Sequence, residues 1–212
     1  TVHAASPAPL KRPPNFSNAE WRVLNSTCEP EIPASRVFAF GNGYIFGDES
    51  WVFDYRGYAI GGMWDRMGGV GGISHASNMT KFGPVTEDMR RRARRLPGKT
   101  VLLNNMFGDN YYHFVNQIVT KVPLFSGFFD IAQADHIVVP PKLTVFMLDW
   151  FSYAGVDISK AIPMEPAGFA CDHIIMASNP SPFSMMQEWA CRYLRDLPPV
   201  QESSIAAERI LV

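Results

Sequence analysis

The chain has 212 residues, with 19 Lys+Arg against 20 Asp+Glu and a formal net charge of -1, which excludes a protein that holds nucleic acid through a basic excess. Hydrophobic residues make up 47% and charged residues 18%, so there is material for a core and too little charge for a disordered chain. The three cysteines, Cys28, Cys171 and Cys191, form no Cys-x-x-Cys pair, which argues against a disulfide framework or a zinc knuckle, and the longest apolar run, Ile118 to Ala132, is broken by Lys121 and Asp130, so no transmembrane segment is expected.

Residues 1–35 open with Ala, Pro and Ser and read as a flexible lead-in. Residues 36–97 begin with short apolar bursts, Val37-Phe38-Ala39-Phe40, Tyr44-Ile45-Phe46, Trp51-Val52-Phe53 and Tyr58-Ala59-Ile60. Turn signals at Gly41-Asn42-Gly43, Gly47-Asp48 and Arg56-Gly57 separate them, and the spacing predicts a small antiparallel β meander. A Gly-rich segment, Gly61 to Gly72, follows; it lacks the Gly-x-Gly-x-x-Gly and Walker spacings, so a loop is expected in preference to a phosphate cradle. Met89 to Arg95 carries Arg90, Arg91, Arg92, Arg94 and Arg95 in a helix-compatible stretch behind Glu87 and Asp88, which reads as a solvated face, with an anionic ligand or acidic lipid as the alternative.

Residues 98–197 alternate strand and helix, the signature of an α/β domain with parallel pairing. Strands are expected at Val101–Leu103, His136–Val139 and His173–Met176, and helices at Asn110–Val122, Leu143–Tyr153 and Phe183–Leu194. Residues 198–212 read as a linker from Pro198-Pro199 into a strand beginning at Ile210, and both ends of the chain read as cut.

The segment Phe107 to Val122 carries the most chemistry. Asp109 or Asn110 can cap a helix whose apolar stripe is Tyr111, Val115, Ile118, Val119 and Val122, with Pro123 expected to end or kink it. The rotated face holds His113, Asn116, Gln117 and Thr120 at i, i+3, i+4 and i+7, near the carboxyl end of an expected strand, where open α/β sheets bind ligands. His113 is either a partly buried imidazole bonded to backbone or a general base, and Gln117 could orient that ring or bind a hydroxyl. Tyr111 and Tyr112 are either core aromatics or a sugar-stacking platform.

Asn110-Tyr111-Tyr112-His113-Phe114, behind a short strand and a glycine, resembles the Asn-Tyr-Tyr/Phe-His-Trp/Phe motif of the glycosyltransferase family 61 proteins. Gly41 to Gly62 resembles the meander before that motif, and Ala134 to Asp157 the strand-helix unit after it. The resemblance runs from about Val37 to Val212, with its specificity at Asn110 to Phe114, and it identifies the chain with the family's amino-terminal half only.

That resemblance implies a Rossmann-like amino-terminal domain of a GT-B type transferase, inverting and metal-independent, moving a sugar from a nucleotide-sugar to a hydroxyl of a glycan or glycoprotein acceptor. His113 is then the candidate catalytic base, Asn110, Asn116 and Gln117 orient the acceptor, and Tyr112 lines its ring. Many relatives carry an acid where this chain has Gln117. No donor-binding residue is assigned here, because the Arg-rich donor segment and the His-Gly-Ala-Gly-Leu motif belong to a carboxyl-terminal half that would start near Val212. No cofactor and no metal are expected: the nucleotide-sugar is a substrate, and the chain has no Asp-x-Asp to hold a divalent ion on a diphosphate. A hydrolase is disfavoured by the absence of a Gly-x-Ser-x-Gly elbow, and the remaining rival is a non-catalytic α/β carbohydrate-binding module. Sequons at Asn15, Asn25 and Asn78 hint at a secretory lumen, whereas a bacterial relative would work in the cytoplasm.

Overall fold

The computed structural model describes residues 6–7, 31–32, 35–60, 85–105, 107–179 and 186–197. The Gly-rich segment, the three sequons, Cys28 and the strand expected at Ile210 lie outside the described residues. Within the stretch read as a lead-in, β1 (Ser6–Pro7) pairs antiparallel with β2 (Glu31–Ile32).

The other six strands form one mixed sheet: β3 (Val37–Phe46), β4 (Trp51–Asp54), β5 (Arg94–Leu102), β6 (His136–Val139), β7 (Ala161–Pro163) and β8 (Phe169–Ala177), in the order β4-β3-β8-β5-β6-β7. β5, β6, β7 and β8 are parallel, and β3 joins antiparallel to β8 and β4. The chain runs outward from β5 through β6 to β7, then returns to β8 on the other side of β5, so the strand order reverses between β5 and β8. The connections from β5 to β6 and from β6 to β7 are helical: α2, the continuous helical stretch 111–125, and α3 (Val145–Tyr153). α1 (Glu87–Arg92) precedes β5, and α4 (Glu188–Asp196) follows β8.

Period-two alternation splits the sheet into two apolar faces. Val101, Ile137, Val139, Ile175 and Ala177 point to the helices, where Phe114, Ile118, Phe125, Met147 and Phe151 complete a buried cluster, with Trp189 and Tyr193 of α4 packed against it. Leu102, Val138, Ile174 and Met176 point the other way, into a core shared with Phe46, Trp51 and Phe53 of the hairpin, with Phe169 at the start of β8 and with Met164. The sheet curls to close that second core. Ile45 pairs with Phe169 at the start of β8, yet the hairpin tip beyond it reaches Asn104, past the end of β5. A bulge between Leu96 and Lys99, with Gly98 at φ 78, supplies part of the bend.

Three sequence expectations are corrected here. Gly41-Asn42-Gly43 is not a turn: the first two apolar bursts fuse into β3, leaving a two-stranded hairpin, and Tyr58–Ile60 contributes only an isolated Phe53–Ala59 bridge. Gly43 is glycine for close approach, since a Cβ would stand 2.8 Å from the Phe53 carbonyl oxygen and 2.9 Å from Ile174 Cδ1. The arginine run is not one helix, because α1 stops at Arg92 and Arg94–Arg95 begin β5. Arg91, Arg92, Arg94 and Arg95 are exposed, as a solvated face requires, and Arg90 is half-buried. Arg90 donates to the Tyr44 hydroxyl at 2.9 Å and to the backbone oxygens of Tyr55 and Arg56, and Arg94 and Arg95 pair with Glu165 and Asp172. Tyr111, placed on the apolar stripe by periodicity, is 58% exposed.

Gly168, at φ 73, lies in the short return from β7 to β8, and any Cβ there would meet the Phe46 ring and stand 2.6 Å from the Ile45 oxygen. Gly168→Ala is therefore expected to cost about 1–3 kcal/mol in a denaturant melt, through a strained φ and displacement of Phe46.

Candidate functional site

The site is built where β5 ends and α2 begins. Leu103 still donates to the Val138 carbonyl at 2.8 Å, and Asn104 and Asn105 then turn the chain out of the sheet. Both side chains are buried. Asn104 Nδ2 donates to the Asp48 carbonyl at 2.8 Å and to Ser50 Oγ at 2.7 Å, tying the β3–β4 turn to the end of β5. Gly108 fits tightly against this corner, since a Cβ there would be 2.6 Å from Asn104 Oδ1.

Asn110 caps α2, its Oδ1 accepting from the amides of Tyr112 at 2.9 Å and His113 at 3.4 Å. The helix is irregular: Tyr111–His113 is α-helical, Phe114–Ile118 is a π turn closed by the Val119 amide on the Phe114 oxygen, Val119–Lys121 is 3-10, and Val122–Phe125 returns to α. Pro123 therefore does not end the helix, because it opens a new α turn where its missing N–H leaves no ladder bond unmade. A turn of i→i+5 bonds takes more residues than an α turn, so Gln117 comes nearly into line with His113 along the axis. His113 Nδ1 stands 3.1 Å from Gln117 Oε1, and Asn105 Nδ2 donates to the same oxygen at 2.8 Å.

Two aromatic rings flank the imidazole, Phe107 tilted at a centroid distance of 5.3 Å and Tyr112 edge-on at 5.3 Å. Phe107 is 55% exposed and holds φ 58, a left-handed backbone that a bulky side chain adopts only where its surroundings enforce it. Phe107, Asp109, Asn110 and His113 line an open hollow of about 460 Å³ on the surface. Tyr111 leans on Phe146 of α3 at 5.3 Å.

Of the residues singled out from sequence, Asn110 and His113 line the hollow, and Tyr112 stands beside His113. Gln117 is buried beneath the imidazole, and Asn116 is half-buried with its carbonyl accepting from Thr120 Oγ1 at 2.5 Å. Sequence reasoning missed Phe107, Asn104, Asn105 and Lys121. Lys121 is wholly buried and its Nζ donates to the Asn104 carbonyl at 3.0 Å; burial pulls its pKa down to about 7. The available signals were a pair of asparagines directly after an apolar strand and a lone cation inside Ile118–Phe125.

Cys171 is a poor nucleophile. It lies in the inner core while His173 is exposed, and burial pushes its thiol up to about 12. Among the described residues no group of three or more His, Cys, Asp or Glu is placed to hold a metal ion, and no helix is long and apolar enough to cross a membrane. Comparison with protein-family models, with curated proteins and with solved structures finds no match.

Proposed function

We propose that this chain supplies the acceptor side of an inverting, metal-independent glycosyltransferase, with a Rossmann-like α/β domain of the GT-B type presenting His113 to the acceptor hydroxyl. The observation that carries this reading is the placing of His113. It lines an open hollow at the carboxyl end of a parallel strand, next to the reversal of strand order where open α/β sheets bind ligands. One ring nitrogen is engaged inside the protein by Gln117, and exposed aromatic faces stand on either side.

A sugar ring stacks its C–H face on an aromatic while its hydroxyls take polar partners, and Phe107 and Tyr112 beside Asp109 and Asn110 offer that combination. In the transfer step the acceptor oxygen forms a bond to the anomeric carbon as the bond from that carbon to the diphosphate oxygen breaks. The hydroxyl proton goes to His113 Nε2, and the diphosphate leaves with the electron pair. Gln117 orients the ring from below and takes no proton, since an amide is not a base at neutral pH. Donor binding is assigned to the carboxyl-terminal half that the sequence resemblance implies, so turnover is to be measured on a polypeptide that includes that half.

His113→Ala should lower turnover of the nucleotide-sugar about a hundredfold or more, the usual worth of a general base, with acceptor KM changed far less. Turnover within a few-fold of the parent would make His113 a structural histidine. Glycan binding at the hollow without any donor consumption would favour a carbohydrate-binding module.

A further inference from the structure

We propose that Asn105 is a positioning residue that, through Gln117, holds neutral His113 in its Nδ1–H tautomer and so keeps Nε2 unprotonated. Gln117 Oε1 sits 2.8 Å from Asn105 Nδ2 and 3.1 Å from His113 Nδ1. An asparagine amide nitrogen has only protons to give, so the Gln117 atom that meets it is the carbonyl oxygen. A carbonyl oxygen has only lone pairs to give, so the His113 nitrogen on its other side must carry a proton. One neutral imidazole has one N–H, and Nε2 is left with its lone pair. The free side chain in water prefers the opposite tautomer, with the proton on Nε2, so the interior sets a form that solvent would not.

The parts of this relay are held from outside it. Asn105 and Gln117 are 1% and 2% exposed, so water does not compete for the shared oxygen. Asn105 follows directly on Asn104, whose carbonyl accepts from Lys121 Nζ at 3.0 Å and whose side chain is bonded to the β3–β4 turn. The π turn brings Gln117 under His113. The catalytic meaning of the tautomer rests on the reading of His113 as the acceptor base, but the tautomer itself does not, and it can be measured with no donor or acceptor present.

The test is nitrogen NMR of the imidazole in alkaline solution, with the His113 signals assigned by their loss in His113→Gln. The native chain should show Nδ1 protonated and Nε2 bare. Asn105→Asp presents an acceptor where a donor stood; Gln117 must then turn its NH2 toward both neighbours, and the proton should move to Nε2. Gln117→Glu keeps an acceptor oxygen on Nδ1 and should keep the native tautomer. An Nε2–H ring in the native chain would overturn the proposal, and so would an Nδ1–H ring in a folded Asn105→Asp variant. If Asn105→Asp does not fold, Gln117→Met removes the acceptor and decides the matter, since loss of the Nδ1–H preference is required there too. A correct tautomer with undiminished turnover in His113→Ala would leave the relay standing and remove the catalytic reading.

Discussion

Lys121→Met is expected to make the protein more stable at pH 7 by a few kcal/mol, and the margin should shrink steadily as the pH is raised toward 10.5. The native lysine titrates at about 7 in the folded state against 10.5 in the unfolded chain, and burial is the cause. Between those values the unfolded state binds more protons than the folded one, so stability rises with pH across the window. Below the folded pKa the cost of burying the charge is present in full, on the order of 5 kcal/mol for a shift from 10.5 to about 7. Above 10.5 it has gone. Methionine fills the same space without that cost and loses one hydrogen bond to the Asn104 carbonyl, about 1–3 kcal/mol in a buried setting. Denaturant melts of both proteins from pH 6 to 11 check this, because the difference between them isolates Lys121 from every other titrating group. A constant difference would mean that Lys121 keeps its charge in the folded state.

Phe114→Ala should cost about 3–5 kcal/mol and loosen the site above it. The ring is 0% exposed and meets Phe146 and Phe151 edge-on, at centroid distances of 5.7 and 5.0 Å. It also begins the π turn that carries Gln117, so its loss leaves a cavity against α3 and unseats that turn. Phe114→Leu, which keeps most of the volume, should recover more than half of the loss in a thermal melt. If alanine is tolerated within about 1 kcal/mol, α2 is not seated on the sheet by this residue.

The sheet was legible in sequence wherever a strand is apolar on both faces or alternates cleanly. The four residues of His136–Val139 and the run before Leu103 mark themselves, as does the helix Val145–Tyr153, which stops before Gly155 at φ 73. What periodicity could not convey is the curl. Gly43 reads as a turn residue because a local rule cannot know that Phe53 and Ile174 crowd it from other strands. The arginine run looked like one helix because nothing local says that Arg94 and Arg95 open a strand, where Asp172 of the neighbouring β8 and Glu165 of the β7–β8 return meet them. At the site, the cap at Asn110 and the i, i+4 pair of His113 and Gln117 are local and were readable. Asn105 and Lys121 were not, since one acts across 12 positions of sequence and the other is a cation that only the folded interior makes unusual.

The acceptor-side reading stands or falls on sugar transfer at the His113 hollow. The most direct measurement follows an isotope-labelled nucleotide-sugar, drawn from the common uridine and guanosine diphosphate series, with glycan acceptors and a polypeptide that includes the donor-binding half the sequence resemblance implies, reading the anomeric configuration of the product by proton NMR. The account expects labelled glycan with the configuration inverted, formed equally well in the presence of a chelator. Retention of configuration, or glycan bound at the hollow while the labelled donor stays intact, would contradict it.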